Sequence, residues 1–578
     1  MATIVDRTPE GIFYRAAKTY PVPDLDLLTL LFGAPMFRSV RSSLLNQPRL
    51  RTLLSPRRHP DPHLCGRSVA TAHRLPLPRP YELTSAALRK HFNIGACGSG
   101  KDIVSVISTG HYLLPTLFYG VIGAGGVFSA ASAASWEQDL GGVRDDERYV
   151  AVRAAEEAGW GRNGGGRVVV MSEGAQWTLR IVQENGSLGA NLVNEKEKLK
   201  WEPITDRAVL ENSLVVLIYS SGTTGLSKGV KLSLTNLVAE VVIPGDMFRS
   251  WLTARETLHR RPRFEYRTLA PLPIAHIAGI QGYLINPLYM GGPVYWMPRF
   301  SFPEFLSYNL KYRITLFFTV PPIYLLIAKS PEVTNQFATL EMTISGAAPL
   351  GKELQHAASA KLGGPDCFVS QTWGLSETTG SATIMPMDMR DDTGSVSPLI
   401  PNMLARIVDD EGRDVEPGKP GEVLVKGPVV CKGYFRNEAA NADAFAGDWF
   451  HTGDVAEFRE GLFYIVDRKK ELIKYKGLQV APAELEALLL NHEDILDAAV
   501  IGVDADGGTN EVPRAYVVAD SKKISGKQIQ DCVKANVASH KQLRGGVVFL
   551  DAIPKSPSGK ILRKDLRVIA MREHGAKL

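Results

Sequence analysis

Directly behind the apolar run Leu214-Val215-Val216-Leu217-Ile218, the chain reads Tyr219-Ser220-Ser221-Gly222-Thr223-Thr224-Gly225-Leu226-Ser227-Lys228-Gly229. A buried strand that opens into hydroxyls, glycines and a lysine can hold phosphate. The glycines let backbone N–H groups turn toward an anion, the hydroxyls add donors, and Lys228 adds a charge. The Gly-x-x-x-x-Gly-Lys-Ser/Thr spacing of the common P-loop is absent from this segment. A second stretch, Gly95-Ala96-Cys97-Gly98-Ser99-Gly100-Lys101, does have that glycine and lysine spacing. Asp102 stands where Ser or Thr is required, and a strand follows where a helix must open to aim its N-terminus at phosphate, so this stretch reads as a turn.

Four more clusters carry chemistry. Gln371-Thr372-Trp373-Gly374-Leu375-Ser376-Glu377-Thr378 couples an aromatic to a glycine and a carboxylate. Trp373 can stack on a flat base, Gly374 leaves backbone room beside it, and Glu377 offers a hard oxygen to Mg²⁺. In Thr452-Gly453-Asp454, followed by Asp467-Arg468, the Asp454 carboxylate is an acceptor whose natural partner is a vicinal diol. Asp467 to Glu486 is a lysine-rich segment that includes Lys470, Lys474, Lys476, Gly477 and Gln479. By themselves, Lys469 to Lys476 read as a solvated basic strand edge or a generic anion patch. Lys560, in Pro554-Lys555-Ser556-Pro557-Ser558-Gly559-Lys560-Ile561, sits on a Gly/Ser/Pro loop that can deliver and withdraw a charge. His276 lies in the apolar stretch Ala270 to Gly279, where a lone histidine can equally be a core residue.

Taken in order, these motifs resemble those of the adenylate-forming superfamily, which includes acyl-CoA synthetases, 4-coumarate–CoA ligases, luciferases and adenylation domains. The resemblance runs from about Asp102 to Arg567, and its style is that of a peroxisomal fungal acyl-CoA ligase. It implies an ATP/AMP site built from Ser220, Ser221, Gly222, Thr223, Thr224, Gly225, Lys228, Trp373, Gly374, Ser376, Glu377, Asp454 and Arg468. Trp373 and Ser376 occupy the family's usual Tyr and Thr places. Asp454, assisted by Arg468, would bind the ribose hydroxyls, and Glu377 with Thr224 would hold Mg²⁺. Lys470 takes the hinge place. Lys474 and Gln479 match residues that contact the acyl-adenylate, while Lys476 and Gly477 border the CoA channel. Lys560 would bridge the carboxylate and the α-phosphate. His276, with Ala275 on one wall and Gly346, Ala347 and Ala348 on the other, would line a roomy, apolar acyl pocket. Leu234 departs from a common family histidine.

The implied reaction is a two-step ligation. A small-molecule carboxylic acid attacks ATP to give acyl-AMP and pyrophosphate, and CoA thiol then displaces AMP. The cofactors and co-substrates are ATP, Mg²⁺ and CoA, and the acid would serve fatty-acid or secondary-metabolite chemistry. A stand-alone adenylation enzyme that loads a carrier protein, a luciferase-like oxygenase and a nucleotide-binding pseudoenzyme are the competing readings.

The elements that must position these residues read as α/β. The expected fold is a large N-terminal domain of mostly parallel sheets flanked by helices, plus a small mobile α+β C-terminal domain. The expected division is 1–469 and 470–578, with the hinge at Lys470. Apolar runs at Asp102–Ser108, Arg167–Met171, Ser213–Tyr219, Asn309–Val320 and Ala338–Ile344 supply candidate strands. Ligands of such sheets sit beyond the carboxyl ends of strands, where the 219–229 segment falls. Residues 1–109 are the least legible. Pro21–Phe32 has an apolar face of leucines, but Arg38–Pro80 lacks clean periodicity, and the strand–turn–strand and helix expected of the family are not apparent there.

At 578 residues the chain exceeds one core. Hydrophobic content of 44% with 22% charged residues is ordinary for a globular enzyme, and a net charge of +5 gives no argument for nucleic-acid binding. Cys65, Cys97, Cys367, Cys431 and Cys532 are scattered, without a C-x-x-C pair, which argues against a zinc site or disulfide framework. No secretory leader is expected. The uncharged run Gly110–Trp136 reads as a buried helix, a turn and a strand, not a membrane span. Ala576-Lys577-Leu578 matches a peroxisomal address, with an import receptor as the expected partner.

Overall fold

The computed structural model describes residues 3–33, 78–131, 151, 168–172, 177–183, 187–199, 201–220, 227–257, 264–363, 367–505, 510–556 and 559–575. Ser221, Gly222, Thr223, Thr224 and Gly225 lie outside them, as do Ala576, Lys577, Leu578 and all but the last three residues of the Arg38–Pro80 stretch.

Three sheets frame the large body. In the first, Ile103–Ile107, Val127–Ala131 and Val216–Ser220 run parallel, and Lys228–Leu232 returns antiparallel beside the last of them. Ser220 pairs with Lys228, so the described ends of the phosphate-holding segment sit at the carboxyl end of a buried parallel strand. The Gly110–Trp136 run resolves as helix Leu114–Gly123 and strand Val127–Ala131. That helix packs closely against helix Pro78–Phe92. A Cβ at Gly120 would lie 2.5 Å from Thr84, and the Ser85 hydroxyl donates to the Gly120 carbonyl at 2.9 Å. The Gly95–Lys101 segment is a turn leading into a strand, as expected.

The second sheet joins Leu316–Thr319, Met342–Ser345 and Val369–Gln371, all parallel, with helices Pro321–Lys329 and Lys352–Ser359 as crossovers. The strand expected over Asn309–Val320 is shorter than that. Asn309 to Tyr312 complete helix Phe302–Tyr312, and Arg313, at φ +52°, ends it in the left-handed region before the strand begins at Leu316. Phe305, Leu306 and Asn309 are buried at helical spacing, which the strand-like run Ile314–Val320 masks in the sequence.

The third sheet has no counterpart in the alternation of strands and helices. Its seven strands pair antiparallel throughout: Thr3–Thr8, Gly11–Ala16, Leu404–Val408, Gly421–Lys426, Phe445–Ala446, Trp449–Arg459 and Leu462–Arg468. The N-terminal strand–turn–strand is therefore present. It was illegible because its partner strand, Leu404–Val408, lies far along the chain.

The chain's last hundred residues have their own cores. Leu485, Val500, Ala515, Val517, Ile529 and Val533 pack together on one face of strands Ile495–Asp504 and Glu511–Ala519. Tyr516, Ile501 and Leu566 pack on the other face. Lys329 Nζ donates to the carbonyl oxygens of Ile495 and His492, the latter at 3.1 Å, tying this body to the end of helix Pro321–Lys329.

Candidate active site

The site forms where the second and third sheets end. Trp373 leaves strand Val369–Gln371 with its backbone fixed: its N–H donates to Thr383 Oγ1 at 2.9 Å, and its carbonyl accepts from Ala382 N at 2.8 Å. Gly374 is required here by proximity, because a Cβ would lie 1.7 Å from the Gly380 carbonyl oxygen. Glu240, on helix Leu234–Thr257, supports the same loop by accepting from Ser381 N at 2.7 Å. Burial pushes its carboxyl well above the usual range.

Ser376 and Glu377 form a single helical turn. Glu377 is buried, and its Oε1 accepts the Tyr434 hydroxyl proton at 2.9 Å. Lys228 Nζ stands 4.7 Å from the centroid of the same Tyr434 ring. Tyr434 thus joins the phosphate-segment lysine to the motif carboxylate. Sequence reasoning missed it, since Tyr434 comes here through a short, non-local pairing of residues 432–435 with the strand Lys228–Leu232. Ser220, half-buried at its strand end, lies beside this group in sequence and register.

Asp454 and Arg468 are direct cross-strand partners in the Trp449–Arg459 and Leu462–Arg468 hairpin, which brings the two motifs together. Gly453, at φ +69°, allows the turn in backbone direction just before Asp454. Asp454 is 5% exposed. Its Oδ2 accepts from Trp373 Nε1 at 2.8 Å, and Arg468 Nε lies 3.2 Å from Oδ1. Burial opposes the Arg468 charge, but Asp454, Glu471, Glu377 and Asp467 together hold its pKa above the ordinary value.

Lys560 lies within electrostatic reach of Asp454 and Arg468. Its loop is closed by Ser556 N donating to the Lys560 carbonyl at 2.8 Å and by Lys560 N donating to Ser556 Oγ at 3.1 Å. Gly559, at φ +81°, packs against the start of helix Pro321–Lys329, where an added Cβ would meet Pro322 at 3.1 Å. Desolvation and the nearby Arg468 and Arg563 charges push Lys560 down to about 8, against the pull of Glu471 and Asp454. His276 feels Lys560 as well. Burial, aided by that charge, lowers its pKa to about 4, so the imidazole is neutral at physiological pH. Its Nδ1 accepts from Ala278 N at 3.2 Å, which leaves the proton on Nε2.

The pocket residues sit as follows. Ala275 is half-buried and Ala278 buried beside His276. Gly346 is buried, Ala347 exposed at φ +72°, and Ala348 half-buried. The expectation that small residues leave the pocket roomy meets a counterweight in Phe318. A Cβ at Gly346 would lie 3.0 Å from that ring, so the space glycine leaves is filled by an aromatic side chain.

Other expected site residues stay outside the cleft. Lys474 and Gln479 face each other across the exposed hairpin Ile473–Tyr475 and Leu478–Val480. Lys476 (φ +47°) and Gly477 (φ +76°) form its turn. The hairpin is held by Lys474 N donating to Glu511 at 3.0 Å and Lys476 N donating to Asn510 at 2.8 Å. Lys470 is exposed just after Arg468. The structure thus gathers Lys228, Trp373, Gly374, Glu377, Asp454, Arg468, His276 and Lys560, and leaves the 474–479 face turned to solvent.

Known proteins match most of the chain. Residues 85–435 match the model of the AMP-binding enzymes, and residues 484–560 match the AMP-binding enzyme C-terminal domain. A protein of Emericella nidulans assigned by name to the acyl-coenzyme A synthetases is 44% identical over 96% of this chain and 97% of its own length. The acyl-CoA synthetase ACTT5 of Alternaria alternata is 40% identical over 64% of this chain and 63% of its own. 4-coumarate–CoA ligase 1 of Solanum tuberosum is 39% identical over 63% of this chain and 66% of its own. Among solved structures, ATP-bound MatB from Rhodopseudomonas palustris superposes with a TM-score of 0.68 at 26% identity, covering 84% of this chain and 92% of that one. The chain belongs to the AMP-binding enzyme family, as an ATP-dependent acyl-CoA synthetase that joins an acid to a thiol and releases AMP.

Proposed function

We propose that this arrangement is the adenylation-competent state of a two-state acyl-CoA ligase. The observation that supports it is the electrostatic grouping of Lys560, Asp454, Arg468 and His276 in one cleft, while Lys474 and Gln479 face solvent. In the first step a carboxylate oxygen of the acid bonds to the α-phosphorus of ATP, and the bond to pyrophosphate breaks. Lys560 offsets the repulsion between the two anions as they meet. Asp454 and Arg468 hold the ribose, and the Trp373 face takes the adenine. Lys228 and the hydroxyls of the 220–225 segment meet the phosphates. Neutral His276 donates from Nε2 toward the acid's carboxyl group. Glu377 is a buried hard-oxygen ligand braced by Tyr434. Among the described residues no cluster of three or more ligating side chains accompanies it. One carboxylate completed by substrate phosphates suits Mg²⁺, which would neutralise developing triphosphate charge.

In the second step the C-terminal body pivots about Lys470, withdraws Lys560 and presents the 474–479 hairpin. The CoA sulfur then attacks the acyl carbon and AMP leaves, with Lys476 and Gly477 beside the pantetheine path. The acid is apolar, and Phe318 limits its bulk near Gly346. Alanine in place of Lys560 should slow ATP–pyrophosphate exchange by about 10²–10³ and spare thioester formation from supplied acyl-AMP. Equal loss of both half-reactions would overturn the two-state reading. The Ala576-Lys577-Leu578 tripeptide is a peroxisomal address in this reading, and a fluorescent reporter carrying residues 563–578 at its end should become punctate.

A further inference from the structure

The Trp373 indole has one polar group, its Nε1–H, and the structure engages it with a second candidate site residue. Its ring edge donates through Nε1 to Asp454 Oδ2 at 2.8 Å, with both residues buried. The ring itself is buried in the hydrophobic core. Asp454 Oδ1 is also buried, and among the described residues it accepts no hydrogen bond, although Arg468 Nε lies 3.2 Å away. A carboxylate tied at one oxygen by an N–H and flanked at the other by a guanidinium cannot rotate freely. Its unused acceptor capacity therefore has a fixed direction. The indole is itself immobile, because the Trp373 backbone is bonded on both sides to Ala382 and Thr383 and Gly374 is packed against the Gly380 carbonyl.

We infer that Trp373 is a positioning residue for the Asp454 carboxylate. Its indole N–H sets the carboxylate's orientation toward the ribose hydroxyls, in addition to any stacking on the base. The inference rests on the proposed ribose role of Asp454. Phenylalanine at position 373 would keep a flat face and lose the donor. A tyrosine would carry its hydroxyl on the ring axis, away from the edge that meets Asp454. Tryptophan at this position thus combines base contact and carboxylate alignment in one side chain.

The test compares ATP with 2′-deoxy-ATP and 3′-deoxy-ATP in pyrophosphate exchange by the full chain. A merely structural role would lower kcat/KM for all three nucleotides alike. The positioning role lowers kcat/KM for ATP in Trp373→Phe by about tenfold, the scale of a lost hydrogen bond to a charged group. Each deoxy-nucleotide keeps one of the two hydroxyls and loses less than ATP does, so the discrimination ratio narrows. Asp454→Ala separates the two ideas. If it removes the discrimination and Trp373→Phe does not, the positioning role is wrong and the ribose role stands. If Asp454→Ala also keeps the discrimination, the ribose role fails and the inference falls with it. Should Trp373→Phe not fold, the wild-type chain labelled at its indole nitrogens provides the second measurement. Of the 8 tryptophan signals, the one assigned to Trp373 should move far more than the rest in Asp454→Ala. No selective movement overturns the inference.

Discussion

Lys560 offers the sharpest test, because the structure sets both its charge and the pH at which it is lost. Desolvation, Arg468 and Arg563 bring its pKa down to about 8. About nine-tenths of the molecules carry the ammonium at pH 7 and about one-tenth at pH 9. A lysine whose pKa is depressed loses its charge as pH rises through that value, so adenylation fails on the alkaline side. His276, Arg468, Arg563 and Glu471 do not titrate in this window. His276 is neutral above about 4, Arg468 and Arg563 are held above their ordinary values, and Glu471 is held below its own. Measured as kcat/KM for ATP in pyrophosphate exchange, which reports the free enzyme, the rate should fall roughly tenfold between pH 7 and pH 9. Bound ATP favours the ammonium, so the fall in kcat comes at higher pH. Lys560→Ala removes the charge at every pH and should cost about 10²–10³ in rate while flattening the profile. Lys560→Arg keeps a permanent charge and should be slower but level across pH 7 to 9. An unchanged alkaline fall in the arginine variant, or an alanine variant within tenfold of wild type, would refute the reasoning.

Tyr434→Phe keeps the ring near Lys228 and removes the hydroxyl from Glu377. The Mg²⁺ concentration for half-maximal exchange should rise about tenfold, and an unchanged Mg²⁺ titration would deny Tyr434 its bracing role. Phe318→Ala should raise the kcat/KM ratio of a bulky acid to a short one by at least about tenfold, read by AMP release across aryl, medium-chain and long-chain acids. A parallel loss for all acids would place Phe318 in packing alone. Lys474→Ala should leave pyrophosphate exchange intact and slow CoA-dependent release from supplied acyl-AMP by about 10² or more. Slowed exchange would show that the exposed hairpin already serves the first step.

The residues that the structure gathers were legible as candidates because their local spacing is itself the signal. A strand ending in Ser220, a Trp373-Gly374 pair and a Gly559-Lys560 loop each declare a purpose within ten residues. The fold's second half was harder. The antiparallel sheet depends on Thr3–Thr8 and Gly11–Ala16 meeting a strand that starts at Leu404, and no local pattern carries that pairing. Tyr434 and Phe318 were invisible for the same reason. Tyr434 acts on a carboxylate 57 residues earlier, and Phe318 fills the space beside a glycine on the neighbouring strand. The Trp373–Asp454 contact spans 81 residues. Each motif pointed to a ligand, but the bond between the two motifs exists only in three dimensions.

Helix Pro321–Lys329 serves as a berth at both ends. Its first turn receives the Gly559-Lys560 loop, and its last residue clasps the carbonyl oxygens of His492 and Ile495. Phe318 lies on the strand that runs straight into it. On the proposed function, an oversized acid that presses on that ring would also press on the helix against which both the Lys560 loop and the C-terminal body are seated.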